Sequence, residues 1–213
     1  MRVIVLAGAF AVICSAAPKL TFTKSFPGSA PAYVCVDLDR TGALAYKESP
    51  TDDQPLRIQL QDSDTAALFS MAEKLDFFKS PLESGLKIAN MGKKTLRYQD
   101  ESGAVTETSF NYSTNVVAQQ LLERFEQIAA SERAYLELER TMRFDKLGVN
   151  EALAQIESLW LHKQLAAPQQ FIPLFTRIAT HESFMHLVRD RAARLKDEFQ
   201  APPSSQGSAQ ESK

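Results

Sequence analysis

The apolar pattern of this chain predicts an α+β fold, an antiparallel sheet with helices on one face followed by a C-terminal α-helical bundle. Two observations carry that prediction. Residues 18 to about 113 read as short strands and turn signals, whereas residues from about 114 to 199 show helical periodicity without one strand candidate. The elements of the first half run strand, strand, strand, helix, strand, strand, helix, the order of a sheet covered from one side.

The chain begins with Met1-Arg2, an uncharged apolar run from Val3 to Cys14, and the small residues Ser15-Ala16-Ala17. That order is the pattern of a secretory signal peptide, and the run falls short of the roughly 20 residues a spanning helix needs. Residues 1–17 are therefore expected to be removed on export to a periplasmic or extracellular location, leaving no transmembrane span. Lipid anchoring at Cys14 is not expected, because the bulky Ile13 stands where a lipidated cysteine follows a small residue.

Residues 18–130 are expected to form the sheet domain. Tyr33 to Leu38 is rich in strand formers, and the connection Asp39-Arg40-Thr41-Gly42 leads to a second apolar stretch, Ala43 to Tyr46, as in a hairpin. Leu56 to Leu60 alternates, so one face is buried. Thr95 to Gln99 and Thr106 to Tyr112 flank Asp100-Glu101-Ser102-Gly103 as a second hairpin. Between the hairpins, Leu68, Met71, Ala72, Leu75 and Phe78 recur on one helical face, with Ser63 or Asp64 as the expected cap.

Residues 131–200 are expected to form the bundle. A helix starts at Thr114 or Asn115 with Val117, Leu121, Phe125 and Ile128 on one stripe, and helical periodicity from Asn115 to Phe144 fits one long helix or two bent near Ser131. Leu147-Gly148-Val149-Asn150 is the next break, with Asn150 as an expected cap. The following helix carries Leu153, Ile156, Leu159 and Trp160. Pro168 fits a first turn ahead of Phe171, Leu174, Phe175 and Ile178, and a last amphipathic helix carries Phe184, Val188, Ala192, Leu195 and Phe199. Residues 201–213 hold Pro, Ser, Gln and Gly without a large aliphatic residue and are expected to be a disordered tail.

Composition excludes more than it assigns. The formal net charge of −2 and isoelectric point near 6.0 lack the basic footprint of a nucleic-acid binder. After signal removal only Cys35 remains, so no internal disulfide forms; its place in a strand fits a buried structural thiol. His162, His181 and His186 fit no familiar metal spacing, and neither metal nor cofactor is expected. Gly92-Lys93-Lys94-Thr95 resembles the end of a phosphate loop, but Gly85 is one position too distant and a strand follows where that motif requires a helix. Glu137 with Glu139 and Asp197 with Glu198 read as solvated helix faces, and the basic run Arg189 to Lys196 is interleaved with acids. No catalytic residue is assigned.

One stretch stands out for binding. Lys79, Lys87, Lys93, Lys94 and Arg97 face only Glu83 among nearby carboxylates, and Asn90-Met91-Gly92 reads as an exposed turn. Lys87, Asn90, Lys93, Lys94 and Arg97 are the candidate partner-binding residues.

Gly28-Ser-Ala-Pro31-Ala-Tyr33, followed by Gly42 and Tyr46, resembles a family of bacterial envelope domains whose hairpin reads Gly-x-Cys-Pro-x-Tyr, a turn Gly and then a Tyr. Ala30 replaces that family's cysteine, and the turn is one residue longer. The resemblance covers about residues 26–130 and implies a fold and an exported address, with no catalytic residue, since no activity is assigned to the family. Two function classes follow: a non-catalytic binding or scaffold module that recruits another envelope protein, or an envelope hydrolase whose site assembles only in three dimensions. The oligomeric state is open at this point.

Overall fold

The computed structural model describes residues 17–201, so most of the expected signal segment and all but the first residue of the expected tail lie outside the described residues. Six strands form one antiparallel sheet: β1 (Lys19–Ser25), β2 (Tyr33–Asp39), β3 (Ala43–Lys47), β4 (Leu56–Gln59), β5 (Lys93–Gln99) and β6 (Val105–Phe110), in the order β4-β3-β2-β1-β5-β6. The α+β class is as the sequence predicts. The central strand, however, is the one the sequence reading lacks. β1 pairs with β2 on one side and β5 on the other, burying Leu20 and Phe22 while Thr21 and Thr23 face the open side. Its period-two pattern lies immediately after the apolar leader, whose stronger signal dominates that part of the chain.

The two hairpins share one turn chemistry. Asp39 Oδ1 accepts from Thr41 N at 2.8 Å, Thr41 Oγ1 at 2.6 Å and Ala43 N at 3.2 Å. Asp100 Oδ1 repeats the pattern with Ser102 N at 2.8 Å, Ser102 Oγ at 2.6 Å and Ala104 N at 2.9 Å. Each turn closes on a glycine with φ near +85°, Gly42 at +84° and Gly103 at +86°. At Gly42 a side chain has no room either, because a Cβ would stand 2.7 Å from the Leu60 carbonyl oxygen.

Helices α1 (Asp62–Lys74) and α2 (Val116–Phe144) cover one sheet face. The expected caps at Ser63 or Asp64 are corrected: the cap position is Gln61, and its carbonyl accepts from Thr65 N and Oγ1. Asp62 and Asp64 instead lie in the first turn, where carboxylates meet the positive helix end. The α1 helix ends at Lys74, and Phe78 reaches the core from a 3-10 turn, Asp76–Phe78.

The α2 helix is a single unbroken element of 29 residues, started by Asn115, whose Oδ1 accepts from Val117 N and Ala118 N. Its first half buries Leu121, Phe125 and Ile128 on the sheet, with Phe125 stacked on Phe22 at 5.2 Å. Its second half buries Ala134, Leu138 and Met142 against α3 (Val149–Leu161), α4 (Ile172–Thr180) and α5 (His186–Gln200). The apolar core thus changes from one cluster to another between Ala129 and Ala134 within one helix. Asn150 is not the cap of α3; Gly148 holds that position, and the Asn150 carbonyl and Oδ1 accept from Arg191 Nη1 at 3.1 and 2.8 Å. Trp160 is half-buried, its ring 4.6 Å from that of Phe199.

At the changeover the helix carries two fully buried polar residues. Ser131 Oγ donates to the Gln127 carbonyl and accepts from Ala166 N at 2.8 Å. Glu132 Oε1 accepts from Gln170 Nε2 at 2.9 Å, while Glu132 Oε2 and Gln170 Oε1 are buried without a hydrogen-bond partner. Both contacts fasten the connection between α3 and α4 to the middle of α2.

Candidate functional site

The five candidate residues do not form one cluster. Lys93 and Arg97 point to the open face of the sheet, where Arg97 lies opposite Glu107 across the β5–β6 pair. Lys94, one position on, points to the helix-covered face with Leu96, because side chains alternate along a strand. It is only 6 % exposed. Its Nζ donates to the carbonyls of Asn111 at 2.7 Å and Met91 at 3.2 Å. Burial and the nearby Lys24 pull its ammonium below the ordinary lysine range. Lys94 therefore ties the loop to the sheet and is no free surface cation.

Lys87 and Asn90 lie in the irregular segment 79–92, both exposed. Asn90 Oδ1 accepts from Gly92 N at 2.9 Å, closing the turn before β5. The segment is fastened at both ends to the residue following β6, Asn111. Asn111 Oδ1 accepts from Met91 N at 2.7 Å and its Nδ2 donates to the Ala89 carbonyl at 3.0 Å. Its backbone N donates to Glu83 Oε2 at 2.7 Å, and its carbonyl receives Lys94. Every polar group of Asn111 is thereby committed to holding this loop. Glu83 also accepts from Ser84 N, and these backbone donors hold its carboxyl below the usual range, so it stays an anion.

What this fixed loop displays is apolar. Leu86, Ile88 and Met91 are between 40 and 55 % exposed. Beside them runs a shallow groove of about 310 Å3 between the loop and the first turns of α2, with Met91 and Leu122 among its apolar walls and Lys24, Glu123 and Glu126 at its rim. Lys24 and Glu126 form an ion pair at 2.7 Å. The arrangement can seat an apolar side chain, and the exposed Lys87 of the same loop can meet an acidic group. The loop's charge drew attention to this segment in the sequence. Its pins, Asn111 and Glu83, and its apolar display did not, because tertiary geometry alone decides which residues of an irregular segment face water.

Elsewhere the chemistry is local. Cys35 is buried on the otherwise open sheet face, and burial raises its thiol pKa, as does Asp37. Each histidine contacts a residue two or four positions away: His162 the Ser158 carbonyl at 2.7 Å, His181 Ser183 Oγ at 2.8 Å, and His186 Asp190 at 2.7 Å. All three are exposed. Among the described residues no group of three or more His, Cys, Asp or Glu is placed to hold a metal ion. No helix among them is long and apolar enough to cross a membrane. The chain matches no protein-family model and no curated protein.

Proposed function

We propose that this chain is an exported, non-catalytic binding module of the bacterial envelope that docks another envelope protein through the loop between α1 and β5. The observation that carries this reading is a loop fastened by Asn111 while it holds Leu86, Ile88 and Met91 in water, with the exposed Lys87 between the first two. A monomeric surface seldom retains such residues together on a fixed support without a partner to cover them. Preorganisation of this kind lowers the ordering cost of association. The partner's complementary surface is apolar at its centre and acidic at its edge.

The exported address rests on the signal-like residues 1–17 and on the hairpin resemblance at Gly28 to Tyr46. N-terminal sequencing of the protein from the envelope fraction should find a start near Ala17; an intact Met1 in soluble cytoplasm would refute export. For the hydrolase alternative, the described histidines offer no convergence with a nucleophile and carboxylate. The docking reading is tested by affinity capture from the envelope fraction with mass spectrometry, using the natural chain and Leu86→Ser with Met91→Ser. One reproducible partner retained by the natural chain and lost by the variant supports it. Equal recovery by both contradicts it.

A further inference from the structure

The connection between α3 and α4, residues 162–171, crosses the middle of α2 as a strap. Its apolar residues serve both cores: Ala166 and Ala167 pack with the sheet cluster, Leu165 and Phe171 with the bundle cluster. Lys163 at φ +56° and Ala167 at φ +44° hold left-handed backbone that side chains disfavour. Polar bonds keep the strap in that shape. Ala166 N donates to Ser131 Oγ at 2.8 Å, Gln170 Nε2 to Glu132 Oε1 at 2.9 Å, and Gln61 Nε2 to Gln169 Oε1 at 3.2 Å. With α1 and α2 the strap walls a crevice of about 70 Å3, where Leu60, Leu68 and Ile128 stand beside Leu165 and Ala166.

Of the three anchors, Ser131, Glu132 and Gln61, only Glu132 can change charge. Its carboxyl is fully buried, accepts one hydrogen bond, and leaves Oε2 without a partner. The titratable groups nearest it are Tyr46 of β3 and Tyr135 of α2, whose pKa values are both raised. Glu48 and Arg133 lie beyond Tyr46, 3.9 Å from each other, and Glu139, Arg143 and Arg177 act on Tyr135. None of these charges pairs with Glu132, whose carboxyl feels burial and the Gln170 amide.

We propose that the strap is a proton-controlled latch, closed while Glu132 carries a proton and released when it does not. A carboxylate buried without a cation is costly, and it is relieved either by a proton or by water. The strap is the element that can leave without unfolding an α-helix or a strand, because its hold on α2 is polar and its backbone is strained. Opening takes one wall from the crevice and exposes its apolar sides. Burial holds the folded carboxyl at about 7, above its ordinary 4.5. The preference for the closed form is therefore complete below about pH 4.5 and lost as pH rises through 7.

Amide hydrogen exchange of the full chain, corrected for the intrinsic rate at each pH, tests the latch. Protection of the Ala166 amide should fall about tenfold per pH unit between pH 5 and pH 7 and level off above, because one proton leaves on opening. It should also be weaker than that of Phe22 in the central strand and respond less to low urea, as a local opening does. In folded Glu132→Gln the pH slope should vanish. Carbon-13 titration of the Glu132 carboxyl in the natural chain needs no variant and should give a midpoint near 7. A midpoint near 4.5 would overturn the proposal, as would Ala166 protection independent of pH or a pH slope kept in folded Glu132→Gln. So would an Ala166 amide that exchanges at the rate of Phe22 with the same urea dependence, since the strap would then open only with the whole fold.

Discussion

At the scale of single residues, two polar side chains carry most of the structural meaning. Glu132 is buried opposite Gln170 with one hydrogen bond made and two acceptor oxygens unpartnered. Burial pushes its carboxyl up to about 7 from an ordinary value of 4.5, the hydrogen bond from Gln170 opposing. Tyr46 and Tyr135 are the other titratable groups that sense it, and both are neutral at this pH. Protonation turns the Glu132 carboxyl into a donor and removes the cost of a buried charge. A folded-state pKa above the unfolded value means the native state binds the proton more tightly. This contribution is therefore complete below about pH 4.5 and lost as pH rises through 7, a difference on the order of 3 kcal/mol. Glu132→Gln removes the titration, so its stability relative to the natural chain should rise between pH 5 and pH 8. Urea melts at the two pH values check this, and an equal difference at both would contradict it.

Asn111 acts on the loop alone. Asn111→Ala removes the bonds to Met91 and Ala89, which should cost about 1–3 kcal/mol and speed amide hydrogen exchange at Met91 and its neighbours. Unchanged exchange would mean the loop is held by other contacts. An asparagine at a strand end is an ordinary turn signal, so nothing in its sequence position distinguishes it. The alternation at Lys93 and Lys94, by contrast, is visible in sequence, but which of the two faces the helices depends on the register with β1.

At the scale of elements, α2 couples sheet and bundle. Thr114 or Asn115 was legible as its start from residue type, and the structure gives Asn115, whereas the bonds of Ser131 and Glu132 to Ala166 and Gln170 reach residues far away in sequence. Asn115→Ala should lower stability by about 1 kcal/mol. Because Phe125 serves one cluster and Leu138 the other, replacing either by Ala should lower a single cooperative melting transition. Two separated transitions in either variant would show that the helix does not transmit folding between them. Trp160 illustrates a limit of periodicity: it shares a stripe with Leu153 and Ile156, yet only those two are fully buried. Trp160→Ala should therefore cost less than the roughly 3–5 kcal/mol of a fully buried aromatic. The stripe shows direction, and the packing of α5 through Phe199 sets depth.

At the scale of the whole molecule, the sequence made the α+β class and the helical second half legible because both rest on local periodicity. Strand β1 was hidden beside the stronger signal of the apolar leader, and the split among the candidate cations was not legible, since facing depends on pairing across the sheet. The resulting picture is one long helix that joins a sheet core to a bundle core, with the proposed docking loop beside its first turns. The central claim, that the loop is the docking surface, is tested most directly by the affinity of the captured partner for Lys87→Glu, measured across a range of salt. Lys87 is exposed and does not fasten the loop, so the melting temperature should stay nearly unchanged while binding weakens. Added salt should weaken the natural chain's binding and have much less effect on the variant's, because the screened contact is already gone. Equal affinity and equal salt dependence in the two proteins would contradict the account.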